Sequence, residues 1–172
     1  MKIYVVMPQF LVTEELVELA SNAIDSFNDV FLISVDDSGE YKKAEGADEV
    51  MAKSDLVLTN KENSGFAITC NKGFKWIMEN EKEDCYIICA NNDIKVHDRV
   101  VPELRKPFEM FENVAITGIF STKGENWEGK PLEEMCVPRM GEGGQHGDRM
   151  MDGGLWMSKK SILQKLAIYR KV

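Results

Sequence analysis

The sequence predicts an α/β domain in three layers, with a mostly parallel, doubly wound sheet covered by helices on both faces. Three observations carry this expectation. Short, continuously apolar and partly β-branched runs recur along the chain, as expected of central parallel strands buried on both sides. Stretches with an apolar residue every three or four positions separate them, the pattern of helices packed on a sheet. The length of 172 residues suits one domain and is too short to divide comfortably into two, so residues 1–172 are read as a single unit with a single site.

The elements follow in order. Ile3 to Met7 is the first strand, ended by Pro8. Thr13 can cap a helix that carries Glu14 and Glu15 at its positive dipole end, with Leu16, Ala20, Ile24 and Phe27 on one face. Val30 to Val35 is a second strand running into Asp36, Asp37, Ser38 and Gly39, and after a short helical stretch Leu56 to Thr59 is a third. Asn63 or Ser64 opens a helix with Phe66, Cys70, Phe74 and Ile77 as its apolar stripe. The strand Tyr86 to Ala90 leads into Asn91, Asn92 and Asp93, then a short alternating piece, Ile94 to Val96, and a helix from about Asp98 in which Pro107 is a candidate kink. Val114 to Phe120 reads as a further strand. The Gly-rich and charged stretch 121–150 lacks periodicity, and a loop of such length is usually functional. Leu155 to Met157 is a last apolar strand, followed by a helix from Lys159 to Leu166 that Ser158 could cap.

Composition narrows the function. The apolar and charged fractions, 44% and 29%, fit a soluble globular protein. A net charge of -8, with no long Lys/Arg run, argues against nucleic acid or a bare anionic membrane as the main partner. The first apolar run is shorter than a signal-peptide core or a membrane span, so a cytoplasmic protein without a transmembrane segment is expected. Cys70, Cys85, Cys89 and Cys136 form no Cys-x-x-Cys pair. Cys85 and Cys89, about 13 Å apart along a strand, are read as buried reduced thiols.

Doubly wound sheets bind ligands outside the carboxyl ends of their strands, which selects Pro8 to Phe10, Asp36 to Gly39 and Asn91 to Asp93, with Asn63 to Gly65 beside them. Asp93, with two amides just after a buried strand, offers hard oxygen to Mg²⁺ or Mn²⁺, or is simply a polar turn. Asp36 and Asp37 could accept from ribose hydroxyls or a base N–H, or form an Asx-type turn. Asn63, Ser64 and Gly65 place backbone N–H groups at a helix start, suited to a diphosphate and equally to an ordinary N-cap. Asn71 lies off the apolar stripe and is free to face the same site. His146, in the Gly-rich stretch, could add a nitrogen ligand to a metal, whereas His97 reads as surface. Trp127 could stack on a sugar ring; Trp156 reads as core.

Together these clusters resemble the family-2 inverting glycosyltransferases of the GT-A fold, and in particular the rhamnosyltransferase-like branch. The likeness is most specific from Glu62 to Leu104, where "ENSGFAITCNKGFKWI" is followed by "YIICANNDIKVHDRVVPEL". It implies a nucleotide-diphospho-sugar-binding fold, with Asn91, Asn92 and Asp93 as the "NND" form of the metal motif. It also implies Mn²⁺ or Mg²⁺ at Asp93, and Pro8, Gln9, Phe10, Asp36 and Asp37 on the base side. Asn63, Gly65, Phe66 and Asn71 then stand beside the donor. The piece "GGLWMSKKSIL" resembles the acceptor-side strand and helix. The expected activity is transfer from a nucleoside-diphosphate sugar to a glycan or other hydroxyl acceptor. Two features depart from the pattern: Cys70 stands where many members carry Arg, and the family's usual C-terminal acceptor segment does not follow the last helix. Among the remaining acids Asp152, before Gly153 and Gly154, is the candidate base, with Asp148 second. The rival expectations are a noncatalytic nucleotide-sugar or glycan-binding module and a sugar nucleotidyltransferase. The latter would need a Gly-rich basic loop where Pro8 to Leu11 stand.

Overall fold

The computed structural model of the protein describes residues 1–120 and 151–166. Six strands form one sheet: β1 (Ile3–Gln9), β2 (Phe31–Asp36), β3 (Leu56–Thr59), β4 (Tyr86–Ala90), β5 (Thr117–Phe120) and β6 (Met151–Lys159), in the order β3-β2-β1-β4-β6-β5. The helices are α1 (Glu14–Asp25), α2 (Ala47–Met51), α3 (Phe66–Asn80), α4 (Val100–Met110) and α5 (Lys160–Leu166). Strands β1 to β4 pair in parallel; β6 runs antiparallel to both β4 and β5.

Because side chains alternate across a strand, each strand feeds two cores. Val5 and Met7 of β1 and Ile88 of β4 pack with Ala20 and Ile24 of α1, Val50 of α2, and Leu104 and Phe108 of α4. Tyr4, Val6, Ile87 and Cys89 point the other way, against Cys70, Phe74 and Ile77 of α3 and Leu163 of α5. Helices therefore cover both faces, as the apolar runs require. Thr13 caps α1 by accepting the Leu16 N–H at 3.3 Å.

Several local expectations are corrected. The alternating piece Ile94 to Val96 forms no regular element; Val96 is buried and its N–H bonds to the Ser26 hydroxyl at 3.0 Å. The fifth strand begins at Thr117, three residues later than its apolar run. The last strand is much longer than Leu155 to Met157, because ladders on both sides extend it. Ser158 lies inside that strand, where its hydroxyl donates to the Ala115 carbonyl at 2.7 Å, and so it does not cap α5. Asp84 does so from across the chain, accepting the Ser161 N–H at 3.0 Å and the Ser161 hydroxyl at 2.8 Å.

Candidate functional site

The parallel register brings the carboxyl ends of three strands level, pairing Gln9 with Asp36 and Asp36 with Thr59. Beyond this row lies an open cleft of about 260 Å³ lined by Pro8, Gln9, Phe10, Asp37, Asn63, Gly65, Phe66, Asn91 and Asn92. Hydrogen bonds join its walls. Gln9 is fully buried, accepts from Asn92 Nδ2 at 3.0 Å and donates to the Ser34 hydroxyl at 3.2 Å. The Gln9 carbonyl also accepts the Asp37 N–H at 2.8 Å. Asn63 Nδ2 donates to the Asp37 carbonyl at 3.1 Å, which ties the start of α3 to the end of β2.

Asp37 is the hinge of this arrangement. One carboxylate oxygen accepts from Asn60 Nδ2 at 2.7 Å and the Ser64 N–H at 2.9 Å; the other accepts the Gly65 N–H at 2.9 Å. Burial pushes its pKa up, but the hydrogen bonds from Asn60, Ser64 and Gly65 outweigh that and hold the carboxyl below its ordinary value. This corrects one expectation: the N–H groups of Ser64 and Gly65 are committed to Asp37 and do not stand open for a diphosphate. The chain turns at Gly65 with φ +80°, a conformation that favours glycine, and α3 then begins at Phe66. Phe66 belongs to the apolar stripe by spacing, yet it is 50% exposed and forms part of the cleft. Phe10 also lines the cleft and packs edge-on against Tyr41, ring centroids 5.5 Å apart.

Three of the residues expected on the donor side do not line the cleft. Asp36 is buried, with its oxygens accepting the Ser38 N–H at 2.9 Å and pairing with Lys43 at 3.3 Å. Asn71 is half-buried more than a turn further along α3. Asp93 is exposed in the turn after β4, next to Asn91 and Asn92, which do line the cleft. Asn91 Oδ1 is a buried acceptor with no protein partner among the described residues. Its N–H donates to the Gly154 carbonyl at 2.8 Å, so β6 reaches the site two residues after Asp152. His146, Asp148 and Trp127 lie outside the described residues. His97 is exposed, and Trp156 packs against the second core beside Phe74.

Among the described residues no three His, Cys, Asp or Glu side chains cluster as a ready-made metal cage. One exposed carboxylate beside amide oxygens still fits Mg²⁺ or Mn²⁺, which characteristically take one or two carboxylates and complete their shells with water and substrate phosphate. Sequence reasoning missed Asn60, Thr69 and Lys72, which meet behind the cleft. Asn60 ends β3 as the clusters it selected end β1, β2 and β4, and the same strand-end rule could have found it.

The family model for glycosyl transferase family 2 matches residues 4–167. The chain belongs to this family. No curated protein matches it in sequence. Among solved structures it is similar to the mannosyltransferase PcManGT from Pyrobaculum calidifontis in complex with GDP-Man and Mn²⁺. That match has TM-score 0.59 and 11% identity, covering 96% of this chain and 46% of that one. It is also similar to glucosyl-3-phosphoglycerate synthase from Mycobacterium tuberculosis in complex with Mn²⁺, UDP-glucose and phosphoglyceric acid, with TM-score 0.56, 15% identity and coverage of 94% and 58%. A third is TarS from S. aureus, with TM-score 0.54, 14% identity and coverage of 96% and 49%. The fold is accordingly of the GT-A type, and the chain spans about half the length of these structures. Among the described residues no helix is long and apolar enough to cross a membrane.

Proposed function

We propose that this chain is a metal-dependent, inverting glycosyltransferase domain that moves a sugar, with hexosyl and rhamnosyl groups as the first candidates, from a nucleoside-diphosphate sugar to an acceptor hydroxyl. The observation that carries the reading is the cleft itself. It opens at the carboxyl ends of β1, β2 and β4, where doubly wound sheets take nucleotides, and mixes aromatic faces at Phe10 and Phe66 with amides at Gln9, Asn63, Asn91 and Asn92. Membership of glycosyl transferase family 2 supports the same reading.

In this reading Phe10 and Phe66 give the nucleoside apolar surface, and Asp37 with the amides fixes its orientation. Asp93, with Asn91 beside it, would hold Mg²⁺ or Mn²⁺, which when bound stabilises negative charge on the departing diphosphate. No lysine or arginine lines the described cleft, so the diphosphate has no side-chain cation there. Asp152 would take the proton of the acceptor hydroxyl.

Calorimetric titration of UDP, GDP and their sugars, with and without Mn²⁺, tests the proposal. Wild type is expected to bind one of them more tightly with the ion present, and Asp93→Asn to lose that increment alone. Equal affinity for wild type and variant in Mn²⁺ would remove Asp93 from the site. Asp152→Asn should lower transfer by about a hundredfold or more while leaving donor affinity unchanged, since general-base catalysis contributes about that much. Undiminished transfer would exclude Asp152 as the base.

A further inference from the structure

Behind the cleft wall lies a set of polar contacts that the lining residues do not explain. Asn60, at the end of β3, is 9% exposed, and its backbone N–H donates to the Asp36 carbonyl at 2.8 Å. Its Nδ2 donates to Asp37 at 2.7 Å and to the Thr69 hydroxyl at 3.2 Å. Its Oδ1 accepts from Lys72 Nζ at 3.0 Å, and the same ammonium also bonds to the Thr59 carbonyl. Thr69 in turn donates to the Gly65 carbonyl at 2.9 Å, while Asp37 holds the Ser64 and Gly65 N–H groups. The segment that contributes Asn63, Gly65 and Phe66 to the cleft is thus gripped from beneath. Asn60 touches Asp37, Thr69 and Lys72, and so links β2, β3 and α3.

We propose that Asn60 is a positioning residue: by bridging Asp37, Thr69 and Lys72 it fixes the 63–66 wall in the form that receives a nucleoside diphosphate. The proposal rests on the reading of the cleft as a nucleotide site. Its chemistry is specific. An amide can give one N–H to a carboxylate and another to a hydroxyl while accepting from an ammonium, and an apolar or anionic side chain cannot do all three. A buried network of this kind is sensitive to the loss of any single member.

Asn60→Asp provides the test. At about pH 8 the new carboxylate faces Asp37 with both groups ionised, the N–H is gone and the wall is released. At about pH 5 the two adjacent carboxyls are expected to share one proton, against the pull of the Lys72 ammonium on the ionised form, and this restores a donor between them. Affinity for UDP and GDP with Mg²⁺ is measured for each variant as a ratio to wild type at the same pH, with thermal melting as the check on folding. Asn60→Asp is expected to bind about tenfold more weakly than wild type at the higher pH and to recover most of that loss at the lower one, whereas Asn60→Ala stays weak at both. A second pair does not depend on Asn60 variants folding. Thr69→Val, which keeps the volume without the hydroxyl, should weaken binding, and Thr69→Ser should restore it. Wild-type affinity in Asn60→Ala or Thr69→Val, or a loss in Asn60→Asp that does not vary with pH, would overturn the positioning role alone. Failure of wild type to bind either nucleotide would overturn the nucleotide reading and the positioning role with it.

Discussion

At Gly39 the backbone turns with φ +57°, and a methyl group there would come within 2.5 Å of the Asn63 nitrogen and 2.6 Å of the Glu62 carbonyl carbon. Both contacts are with backbone, so no side chain can move aside. Gly39→Ala should therefore cost about 1–3 kcal/mol of stability through left-handed strain and displacement of residues 62–63. Because Asn63 lines the cleft, nucleotide affinity should fall as well. Urea denaturation together with calorimetry checks both, and an alanine variant with unchanged midpoint and affinity would contradict the close approach. A chain reader sees "DDSG" and infers a turn, but the second loop that the glycine must admit is distant in sequence. The same limit applies to Asp37: its place at a strand end is legible, whereas its bonds to Asn60, Ser64 and Gly65 arise only once β2, β3 and α3 are assembled.

At the scale of elements, the strands buried on both faces were the most legible. The runs in β1, β2 and β4 are apolar because helices cover both sides, and that requirement acts at every position. Strand β6 was legible only at Leu155 to Met157, since its remaining residues include Gly153, Gly154 and Ser158, and nothing in the local pattern states the direction of pairing. The start of α5 shows the same dependence on distant partners. Its capping carboxylate, Asp84, stands at the entrance to β4 and bonds to the backbone and the hydroxyl of Ser161. Asp84→Ala should destabilise the protein by about 1 kcal/mol, the usual worth of a helix cap. Ser158→Ala removes a different bond, to Ala115, and should leave the amide exchange of α5 unchanged. If hydrogen exchange in α5 proved insensitive to Asp84→Ala, the assignment of the cap would be wrong.

For the molecule as a whole, acid should loosen the fold through two carboxylates. Glu81 closes the end of α3 and accepts from Lys2 and Tyr4 at the start of β1. The hydrogen bond from Lys2, followed by those from Tyr4 and the Glu83 N–H, pulls its pKa down to about 2. Asp37 is also held below its ordinary value. A folded pKa below the unfolded one means stability that is present above the unfolded value and lost as pH falls through the folded one. The urea midpoint of wild type should therefore drop between about pH 5 and pH 2. Glu81→Gln should start lower at neutral pH and decline less steeply, with the remaining slope reporting Asp37. Parallel curves for the two proteins would show that the contacts of Glu81 with Lys2 and Tyr4 do not persist in solution.

Strands β5 and β6 bring Phe120 opposite Met151. The end of β5 and the start of β6 therefore stand side by side in the sheet. The entropy of closing a connection between such ends grows only logarithmically, by about 0.6 kcal/mol for each doubling of its length. A change in the length of the connection between these two strand ends therefore asks little of the frame, whose six described strands keep their own ladders.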